Sequence, residues 1–504
     1  MKKLLLISTI LSGALFTMKA QENCPMIENA PGEEKLYNTT IDASFYLGGN
    51  VTTLKNLCYK INFADNKAYI YNLFSVQDPV GEYVTCELED NKIYLPTGFV
   101  YRDFGYGVAK VMKFYLDEND NWTMDTDNSP IIWNINEDGS ISENDPNVVM
   151  ALVSFYDEYD YWETAVFEKI SMQPAVIDNM DLPENITDIK YYRRFNEYVY
   201  DETYLNTVFE IASDGNDFYF KGLYDYPDSM DFLCWIKGTL EGNTITIPNN
   251  QIIGVDKRGY FCYNANAELD MMTGDLLLLD QPVSLQYDKA ANTMTTDEWL
   301  LSIQGTEPYF YFPAPVITPF ELKEATPAIP IFITLDDEWF DYFGQDTFVF
   351  LIPYEDTDGN FINPELLSYS IFIDSAEPYV FEPEEYQGLY EPQSEFGFYE
   401  NTSFMFNSPS EGYQRHLAYI NTNSFDKIGV QSYYTVNGVK NASEILWYDR
   451  NTSAIGTSIS NKEVSAIETY DLMGKKVSDS SKGLVIKKVI YSDGTVKSLK
   501  QIVK

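Results

Sequence analysis

The sequence predicts an all-β protein, and three observations support that fold class. Aromatic residues are abundant, with 40 Tyr and 31 Phe among 504 residues. Short runs alternate between two faces with a period of two, as in residues 68–74 (AYIYNLF) and 218–224 (FYFKGLY), which is the pattern of a β-strand. Turn sequences such as Asp-Gly, Asn-Gly and Glu-Gly-Asn separate these runs at a spacing of roughly 8–12 residues. Because no sustained helical periodicity follows the first 20 residues, we expect strands throughout.

The chain begins with a segment typical of a secretory signal peptide. Lys2 and Lys3 precede a mainly apolar stretch from Leu4 to Phe16, and Ala20 is a small residue at the expected cleavage position. The apolar stretch is shorter than the roughly 20 residues that a membrane-spanning helix needs. We therefore predict that residues 1–20 are a signal peptide. We expect a mature protein with no membrane span that is secreted, extracellular or at the outer-membrane surface.

An internal repeat defines the next two units. The stretch KGTLEGNTITIP (237–248) resembles the earlier CELEDNKIYLP (86–96). Matching positions recur in the same order 150 or 152 residues apart, and they are Asn66 with Asn216, Tyr69 with Tyr219, Leu88 with Leu240, Asn91 with Asn243, Pro96 with Pro248, and Pro130 with Pro282. Three blocks in the same order, at a nearly constant difference in residue number, indicate a duplicated domain. We predict two β units, residues 35–180 and 190–318, each a β-sandwich or a β-barrel.

A third unit follows a proline-rich stretch. Residues 320–449 contain short alternating runs and end in a hairpin, IGVQSYYTVNGVKNASEILWY (428–448), with Asn-Gly at its turn. This segment resembles a fibronectin type III domain of secreted bacterial proteins. The resemblance implies an immunoglobulin-type sandwich of about seven strands.

The C-terminal segment differs in charge from the rest of the chain. Residues 450–463 form a Ser/Asn/Thr-rich linker, and residues 461–504 carry nine lysines against five acids. Residues 464–504 resemble the C-terminal sorting domain of Bacteroidetes cargo of the type IX secretion system. The positions that carry the resemblance are Gly474, Lys475, Lys476, Gly483, Asp493, Gly494 and Lys504. The resemblance implies the type IX secretion machinery as a partner, whereas the alternative is a basic hairpin that closes the third unit.

The overall charge excludes one class of partner. The chain has 77 acidic and 34 basic residues and a formal net charge of −43. Such a field repels nucleic acid and anionic lipid surfaces. We expect no nucleic-acid partner, while cationic partners and divalent cations stay open.

The sequence offers little catalytic chemistry. His416 is the single histidine, no Gly-x-Ser-x-Gly motif supplies a serine nucleophile, and no Cys-x-x-Cys pair suggests zinc. We predict no catalytic residue and no cofactor-binding residue, with His416 partly buried or at the surface of a strand. The five cysteines are too few for a disulfide framework, so we expect mainly core residues with at most one or two bridges.

Calcium is the one cofactor that the sequence suggests, and the suggestion is weak. Asp356, Asp358 and Asn360 alternate as oxygen ligands do in a calcium loop. Phe361 and Leu367 stand where such a loop has its glycine and its final acid. A hairpin turn is the simpler interpretation.

An aromatic run supplies the candidate ligand-binding residues. Tyr159, Tyr161 and Trp162 lie among acidic residues, a combination that suits contact with a sugar or a peptide. The second unit has a comparable run at residues 307–311 (EPYFY). Cross-strand aromatic packing is the alternative and the preferred interpretation.

These features favour a secreted or cell-surface modular β protein that is more simply a binder than an enzyme. Its expected partner is a glycan or a protein, and its expected export is by a type IX-like route. The first alternative is a glycoside hydrolase or other extracellular hydrolase that uses paired carboxylates. The second is a structural surface-layer or fimbrial component.

Overall fold

The computed structural model describes most of the chain. The described residues are 25–74, 80–103, 107–117, 121–155, 161–196, 207–226, 229–269, 276–336, 346–386, 389, 391–410, 413–420, 425–449, 454–457, 464–470, 476–477, 483–491 and 496–503. In these ranges the protein is all-β, as predicted, with a 3-10 turn at Pro364–Leu366 and no α-helix. Within them, no helix has the length and apolarity needed to cross a membrane. The predicted signal peptide, residues 1–20, lies outside the described residues.

The chain divides into two compact units, Met1–Glu321 and Leu322–Lys504. The first 13 strands belong to the first unit. They are β1 (Met26–Ile27), β2 (Glu33–Ser44), β3 (Thr52–Ala64), β4 (Lys67–Tyr71), β5 (Tyr83–Glu89), β6 (Lys92–Leu95), β7 (Val100–Asp103), β8 (Val108–Leu116), β9 (Trp122–Met124), β10 (Ile131–Ile135), β11 (Ile141–Glu143), β12 (Val148–Phe155) and β13 (Tyr161–Pro174).

Eight of these strands close into a barrel. Their order is β2-β3-β4-β5-β6-β10-β11-β13, and β13 pairs back to β2. The N-terminal part of β13 leaves the barrel and pairs with β12, which continues the sheet through β8 to β7. The long strand β13 therefore belongs to both the barrel and its sheet extension.

The remaining strands of the first unit follow in chain order. They are β14 (Ile189–Asn196), β15 (Thr207–Asp214), β16 (Asp217–Lys221), β17 (Met230–Leu233), β18 (Ile236–Glu241), β19 (Thr244–Ile247), β20 (Ile252–Asp256), β21 (Phe261–Leu269), β22 (Leu276–Leu279), β23 (Val283–Asp288), β24 (Thr293–Thr295), β25 (Trp299–Gln304), β26 (Glu307–Pro313) and β27 (Pro315–Pro319).

The second set repeats the topology of the first. A closed barrel has the order β14-β15-β16-β18-β19-β23-β24-β27, and a separate sheet has the order β17-β20-β21-β25-β26. Strands β26 and β27 together take the place of the long β13. Ala314, with a φ of +41°, separates them. The duplicated units that the offsets predict are thus two eight-stranded barrels, each with an additional sheet.

The repeated hairpin shows why the two sequences match. In the β5–β6 hairpin, Asp90 and Asn91 occupy the turn with φ of +51° and +57°, the pattern of a type I′ turn. In the β18–β19 hairpin, Gly242 has a φ of +63° at the first turn position, as a type II′ turn requires. The two hairpins therefore have turns of the same length, two residues, but of different type.

Side chains fill the interior of each barrel, as expected for eight strands. Along β18, Ile236, Gly238 and Leu240 are buried in alternation. A Cβ atom at Gly238 would lie 2.9 Å from Cγ2 of Ile245 and 3.0 Å from Cγ1 of Ile247. Packing inside the barrel therefore explains why the first glycine of KGTLEGNTITIP, Gly238, has no side chain.

The second unit contains a β-sandwich. Its strands are β28 (Ile331–Asp336), β29 (Asp346–Pro353), β30 (Leu367–Ile373), β31 (Phe396–Gly397), β32 (Met405–Ser410), β33 (Tyr413–Ile420), β34 (Lys427–Val436), β35 (Val439–Ala442), β36 (Leu446–Asp449) and β37 (Ala454–Thr457). One sheet has the order β28-β29-β33-β32, and the other has the order β31-β30-β34-β36-β37. If the two-residue strand β31 is left out of the count, this first sheet contains the first, second, fifth and fourth strands of the sandwich in that order. An immunoglobulin-type sandwich has the same order in one of its sheets.

Two details of the sandwich concern the predictions. The Asn-Gly hairpin forms as expected, because Asn437 and Gly438 have positive φ between β34 and β35. Part of the predicted linker is a strand, since β37 pairs with β36.

The C-terminal residues form a separate four-stranded sheet. Its strands are β38 (Val464–Tyr470), β39 (Lys476–Val477), β40 (Gly483–Tyr491) and β41 (Val496–Val503), in the order β39-β38-β40-β41. Lys476 starts β39, and Gly483 starts β40. Gly474, Lys475, Asp493, Gly494 and Lys504 lie outside the described residues, so their sorting role stays a prediction.

Candidate functional site: a groove between the two repeats

Strand β3 of the first barrel is joined directly to the separate sheet of the second repeat. The backbone amide of Cys58 donates a 2.6 Å hydrogen bond to the carbonyl of Gly259, in the turn between β20 and β21. The side-chain amide of Asn56 donates a 2.7 Å hydrogen bond to the carbonyl of Gly305, in the turn between β25 and β26. Both contacts therefore tie the first barrel to that sheet of the second repeat.

Apolar and charged side chains complete this junction. Cys58, Val255 and Phe261 form a buried cluster across the two repeats. At its edge, Lys60 forms an ion pair with Asp231. The buried cluster and the ion pair both link residues of the first repeat to residues of the second.

A groove of about 490 Å³ lies beside the junction. Strands β2 and β13 of the first barrel form one side, and strands β20 and β21 of the second repeat form the other. The lining residues are Asn38, Thr40, Ser171, Gln173, Pro174, Ala175, Val176, Ile252, Phe261 and Tyr263. The groove is thus made by both copies of the duplicated fold.

Four uncharged polar residues form what we call the polar floor. Thr40 lies opposite Ser171, and Asn38 lies opposite Gln173, in the antiparallel pairing of β2 with β13. The barrel interior receives the alternate residues of both strands, as the burial of Tyr37 and the other odd-numbered neighbours indicates. The polar floor therefore faces outward.

The polar floor keeps much of its hydrogen-bonding capacity. The Asn38 amide donates to Oδ1 of Asn56 at 3.1 Å and lies 3.5 Å from the hydroxyl of Tyr263. Within the described part of the chain, the side chains of Thr40, Ser171 and Gln173 make no hydrogen bond. Two hydroxyls and one amide are thus available to a ligand.

Three residues of the second repeat form what we call the apolar wall. Ile252 and Tyr263 are cross-strand neighbours on β20 and β21, and Phe261 is buried beneath them. Burial raises the pKa of the Tyr263 phenol, although the hydrogen bond from Asn38 acts in the opposite direction. Tyr263 therefore presents an aromatic face and a protonated hydroxyl.

Among the described residues, none that lines the groove is charged, although 22% of the chain is charged. The next outward-facing pair along the same two strands is Asp42 opposite Lys169. These two residues have opposite charges. The polar floor consequently ends at a pair whose formal charges cancel.

The predicted aromatic residues are elsewhere. Tyr161 and Trp162 start β13 and are 39% and 46% exposed, at the opposite end of the strand from Ser171 and Gln173. The Tyr161 ring lies 5.5 Å from that of its strand partner Phe155, which is the expected cross-strand packing. Tyr159 lies outside the described residues.

The predicted calcium ligands form a turn. The Asp356 carboxylate accepts hydrogen bonds from the backbone amides of Asp358 and Asn360 and from the Asn360 side chain. Burial acts to raise the pKa of Asp356, but these hydrogen bonds lower it below its ordinary value. The Asn360 amide is thus turned toward Asp356, and calcium binding stays an untested prediction.

His416 is not at the surface, and the expectation of partial exposure is wrong. It faces the sandwich core on β33 and is 1% exposed. Its ring lies 5.2 Å from that of Phe350 and 4.7 Å from that of Tyr369. Neither ring nitrogen has a hydrogen-bond partner among the described residues. Burial lowers the pKa of His416 to about 3, so the ring is neutral near pH 7.

The hydrolase alternative requires a pair of carboxylates that act together. Among the described Asp and Glu residues, burial raises the pKa at Asp256. Its carboxylate accepts hydrogen bonds from the backbone amides of Arg258 and Tyr260 and from the Gln304 side chain. These contacts organise the turn before β21, which explains the buried acid as a structural one.

The cysteines of the described chain are core residues, as predicted. Cys58, Cys86, Cys234 and Cys262 are buried and unbridged. Burial raises the pKa of Cys58 and of Cys234 to about 12. These thiols therefore stay protonated at neutral pH.

Sequence reasoning missed the groove because its parts are distant along the chain. Asn38 and Tyr263 are separated by 225 residues. The available signal was local: uncharged polar residues at alternate positions in β2 and near the end of β13, within a very acidic chain. Comparison with known proteins adds no relative, because no protein-family model and no curated protein matches the chain.

Proposed function

We propose that this protein is an exported, non-enzymatic binding protein that holds an extracellular ligand in the groove between its two repeats. The observation that carries the proposal is the polar floor, where Thr40, Ser171 and Gln173 have free hydrogen-bonding groups beside the apolar wall. Binding sites combine a few placed polar groups with apolar surface in this way. The groove volume of about 490 Å³ is in the range of ligand sites.

The lining residues support binding more than catalysis. A serine or threonine nucleophile needs a neighbouring base, and the lining residues that the structure describes include no histidine, lysine or carboxylate. The hydroxyls of Thr40 and Ser171 are therefore hydrogen-bonding groups in this proposal.

The two ends of the chain supply the cellular context of the proposal. The signal peptide of residues 1–20 directs export. The sorting-like residues 464–504 then engage the type IX secretion machinery, with secretion or display at the outer-membrane surface. The sandwich, with its resemblance to a fibronectin type III domain, serves as a spacer between the binding barrels and the tail.

The test is capture of a ligand by the mature chain with its groove open or blocked. Gln173 is exposed on β13, so Gln173→Trp fills the groove without a change in the barrel core. Gln286→Trp places the same ring at an exposed position of β23 in the second barrel and is the matched control.

Each protein is immobilised and probed with a glycan array and with extracellular proteins of the source culture. We expect the wild type and Gln286→Trp to capture the same ligand and Gln173→Trp to lose it. Equal capture by all three proteins, or no capture by any, would overturn the proposal.

A further inference from the structure

We infer that the ligand of the groove is a neutral saccharide, an inference that rests on the proposed binding function. The groove restricts the class of ligand in three ways: by its charge, by its hydrogen-bonding groups and by the pairing of its strands. The three restrictions are independent of one another.

The first restriction is electrostatic. The described lining residues are all uncharged, while the chain as a whole carries −43. An anionic sugar would meet no cation in the groove and would approach against the field of the protein. A cationic peptide would meet no carboxylate in the groove to pair with its charges. A neutral ligand loses no ion hydration when it enters, so neutrality is favoured.

The second restriction is the hydrogen-bonding inventory of the polar floor. The hydroxyls of Thr40 and Ser171 can each donate and accept, and the amide of Gln173 does both through separate atoms. The hydroxyls of a saccharide also donate and accept. The cross-strand arrangement places these groups in two adjacent rows, Thr40 with Ser171 and Asn38 with Gln173. A ligand with hydroxyls on neighbouring carbons matches such a grid.

The third restriction excludes a common mode of peptide binding. A peptide strand joins a sheet at an edge with free backbone groups. At the polar floor, β2 is paired with β3 and β13, and β13 is paired with β2 and β11. The polar floor is therefore the face of a paired sheet and not an edge strand, so it presents side chains to a ligand.

The apolar wall supplies the remaining contact. The Tyr263 ring is half-buried against Ile252 and Phe261, so its position is fixed before a ligand arrives. An aromatic face packs against the C–H groups of a sugar ring, while the phenol hydroxyl stays available for a hydrogen bond. The groove thus pairs C–H contact on one side with hydroxyl contact on the other.

Asn56 acts as a positioning residue for this site. Its Oδ1 accepts from the Asn38 amide at 3.1 Å, and its Nδ2 donates to Gly305 at 2.7 Å. One side chain therefore holds a residue of the polar floor and ties the first barrel to the sheet of the second repeat that carries the apolar wall.

The experiment measures binding of the full mature chain to an array of neutral saccharides, acidic saccharides and unmodified peptides. Dissociation constants are then measured for the best binder with the variants Ser171→Ala, Gln173→Ala, Tyr263→Phe and Tyr263→Leu. Gln286→Ala, an exposed glutamine of the second barrel, is the matched control.

We expect a neutral saccharide as the best binder. Loss of one hydrogen bond in Ser171→Ala or Gln173→Ala weakens binding about twofold to tenfold. Tyr263→Phe keeps the ring and stays within about tenfold of the wild type, whereas Tyr263→Leu loses more. Gln286→Ala binds as the wild type does. Circular dichroism of each variant separates lost binding from lost folding.

The outcomes separate this inference from the proposed function. An acidic saccharide or a peptide whose binding is weakened by Gln173→Ala overturns the inference and leaves the groove as the binding site. Neutral saccharide binding that none of the groove variants weakens overturns both. Absence of binding to every class on the array also counts against both.

Discussion

Asn56 and Gly305 connect the first barrel to the separate sheet of the second repeat through one side-chain hydrogen bond of 2.7 Å, although 249 residues separate them. Asn56 has a φ of +58°, a left-handed conformation that asparagine tolerates better than most residues. Both the residue type and its backbone are therefore suited to this bridge. The same side chain also holds Asn38 in the polar floor.

Removal of this bridge tests its role in positioning. Asn56→Gly keeps the left-handed conformation and deletes both hydrogen bonds. We expect the free energy of unfolding of the first unit to fall by about 1–3 kcal/mol, measured by chemical denaturation, because two hydrogen bonds and some chain rigidity are lost. Ligand affinity falls in the same variant.

The control for Asn56→Gly is Asn292→Gly. Asn292 also has a left-handed φ, of +56°, and lies in the second barrel between β23 and β24. Both substitutions add a glycine at a positive φ. If Asn292→Gly lowers ligand affinity as much as Asn56→Gly does, the bridge has no special role in the groove.

The buried histidine predicts a pH dependence of the sandwich. The pKa of His416 is about 3 in the folded protein because burial excludes water from the ring, and about 6.5 in an unfolded chain. Between these values the unfolded state binds a proton that the folded state does not. The contribution of His416 to stability is therefore complete above pH 6.5 and falls as the pH falls toward 3, by about 1 kcal/mol per pH unit.

Hydrogen exchange of the β33 amides measures this effect at pH 7 and at pH 5. We expect protection in the wild type to fall between these values more than in His416→Leu, which has no proton to bind. Exchange at each pH is compared between the two proteins, so that the titration of the acids common to both cancels. The same pH dependence in both proteins would contradict the assignment.

The close packing inside the second barrel predicts how much one added methyl group lowers the stability of the fold. Gly238→Ala places a Cβ atom 2.9 Å from Ile245 and 3.0 Å from Ile247 inside the second barrel. We expect a loss of about 1–3 kcal/mol in the free energy of unfolding from overpacking, measured by urea denaturation.

Gly397→Ala is the control at a strand glycine that has room for a methyl group. A Cβ atom at Gly397 of β31 would lie 3.6 Å from Cβ of Glu400, an ordinary van der Waals distance. This variant should therefore stay close to the wild type. A loss at Gly397 that equals the loss at Gly238 would mean that overpacking of the barrel interior is not the cause.

The sorting-like tail predicts a change in location. A chain that ends at residue 463 should keep its signal peptide function but stay in the periplasm, because residues 464–504 would no longer engage the secretion machinery. Fractionation of the source organism followed by immunoblotting measures this distribution. Unchanged delivery to the surface or medium would remove the type IX interpretation.

Local patterns predicted the secondary structure and the duplication. The Asp90–Asn91 and Gly242–Asn243 turns follow from residues adjacent in sequence, as does the Asn437–Gly438 hairpin. Period-two alternation also gave the strands, since it depends on neighbours along the chain. Local sequence patterns did not decide between a sandwich and a barrel. That choice depends on the return of β13 to β2, a pairing across more than 100 residues that no local signal encodes.

The candidate site was harder to predict than the fold. Aromatic residues next to acids, such as Tyr161 and Trp162, are conspicuous in sequence, yet Tyr161 packs on its strand partner Phe155. The residues of the polar floor are common polar types. They form a candidate site only because the fold brings β2, β13 and β21 together. His416 shows the same limit, because the aromatic rings around it come from separate strands.

The most direct test of the central claim is the position of a bound neutral saccharide in a crystal structure of the mature protein. The saccharide is the best neutral binder from the array. We predict that it lies between Gln173 and Tyr263, with a ring face on Tyr263 and hydroxyls hydrogen-bonded to Ser171 or Thr40. A saccharide bound at Trp162 or on the sandwich, with the groove empty, would contradict the claim.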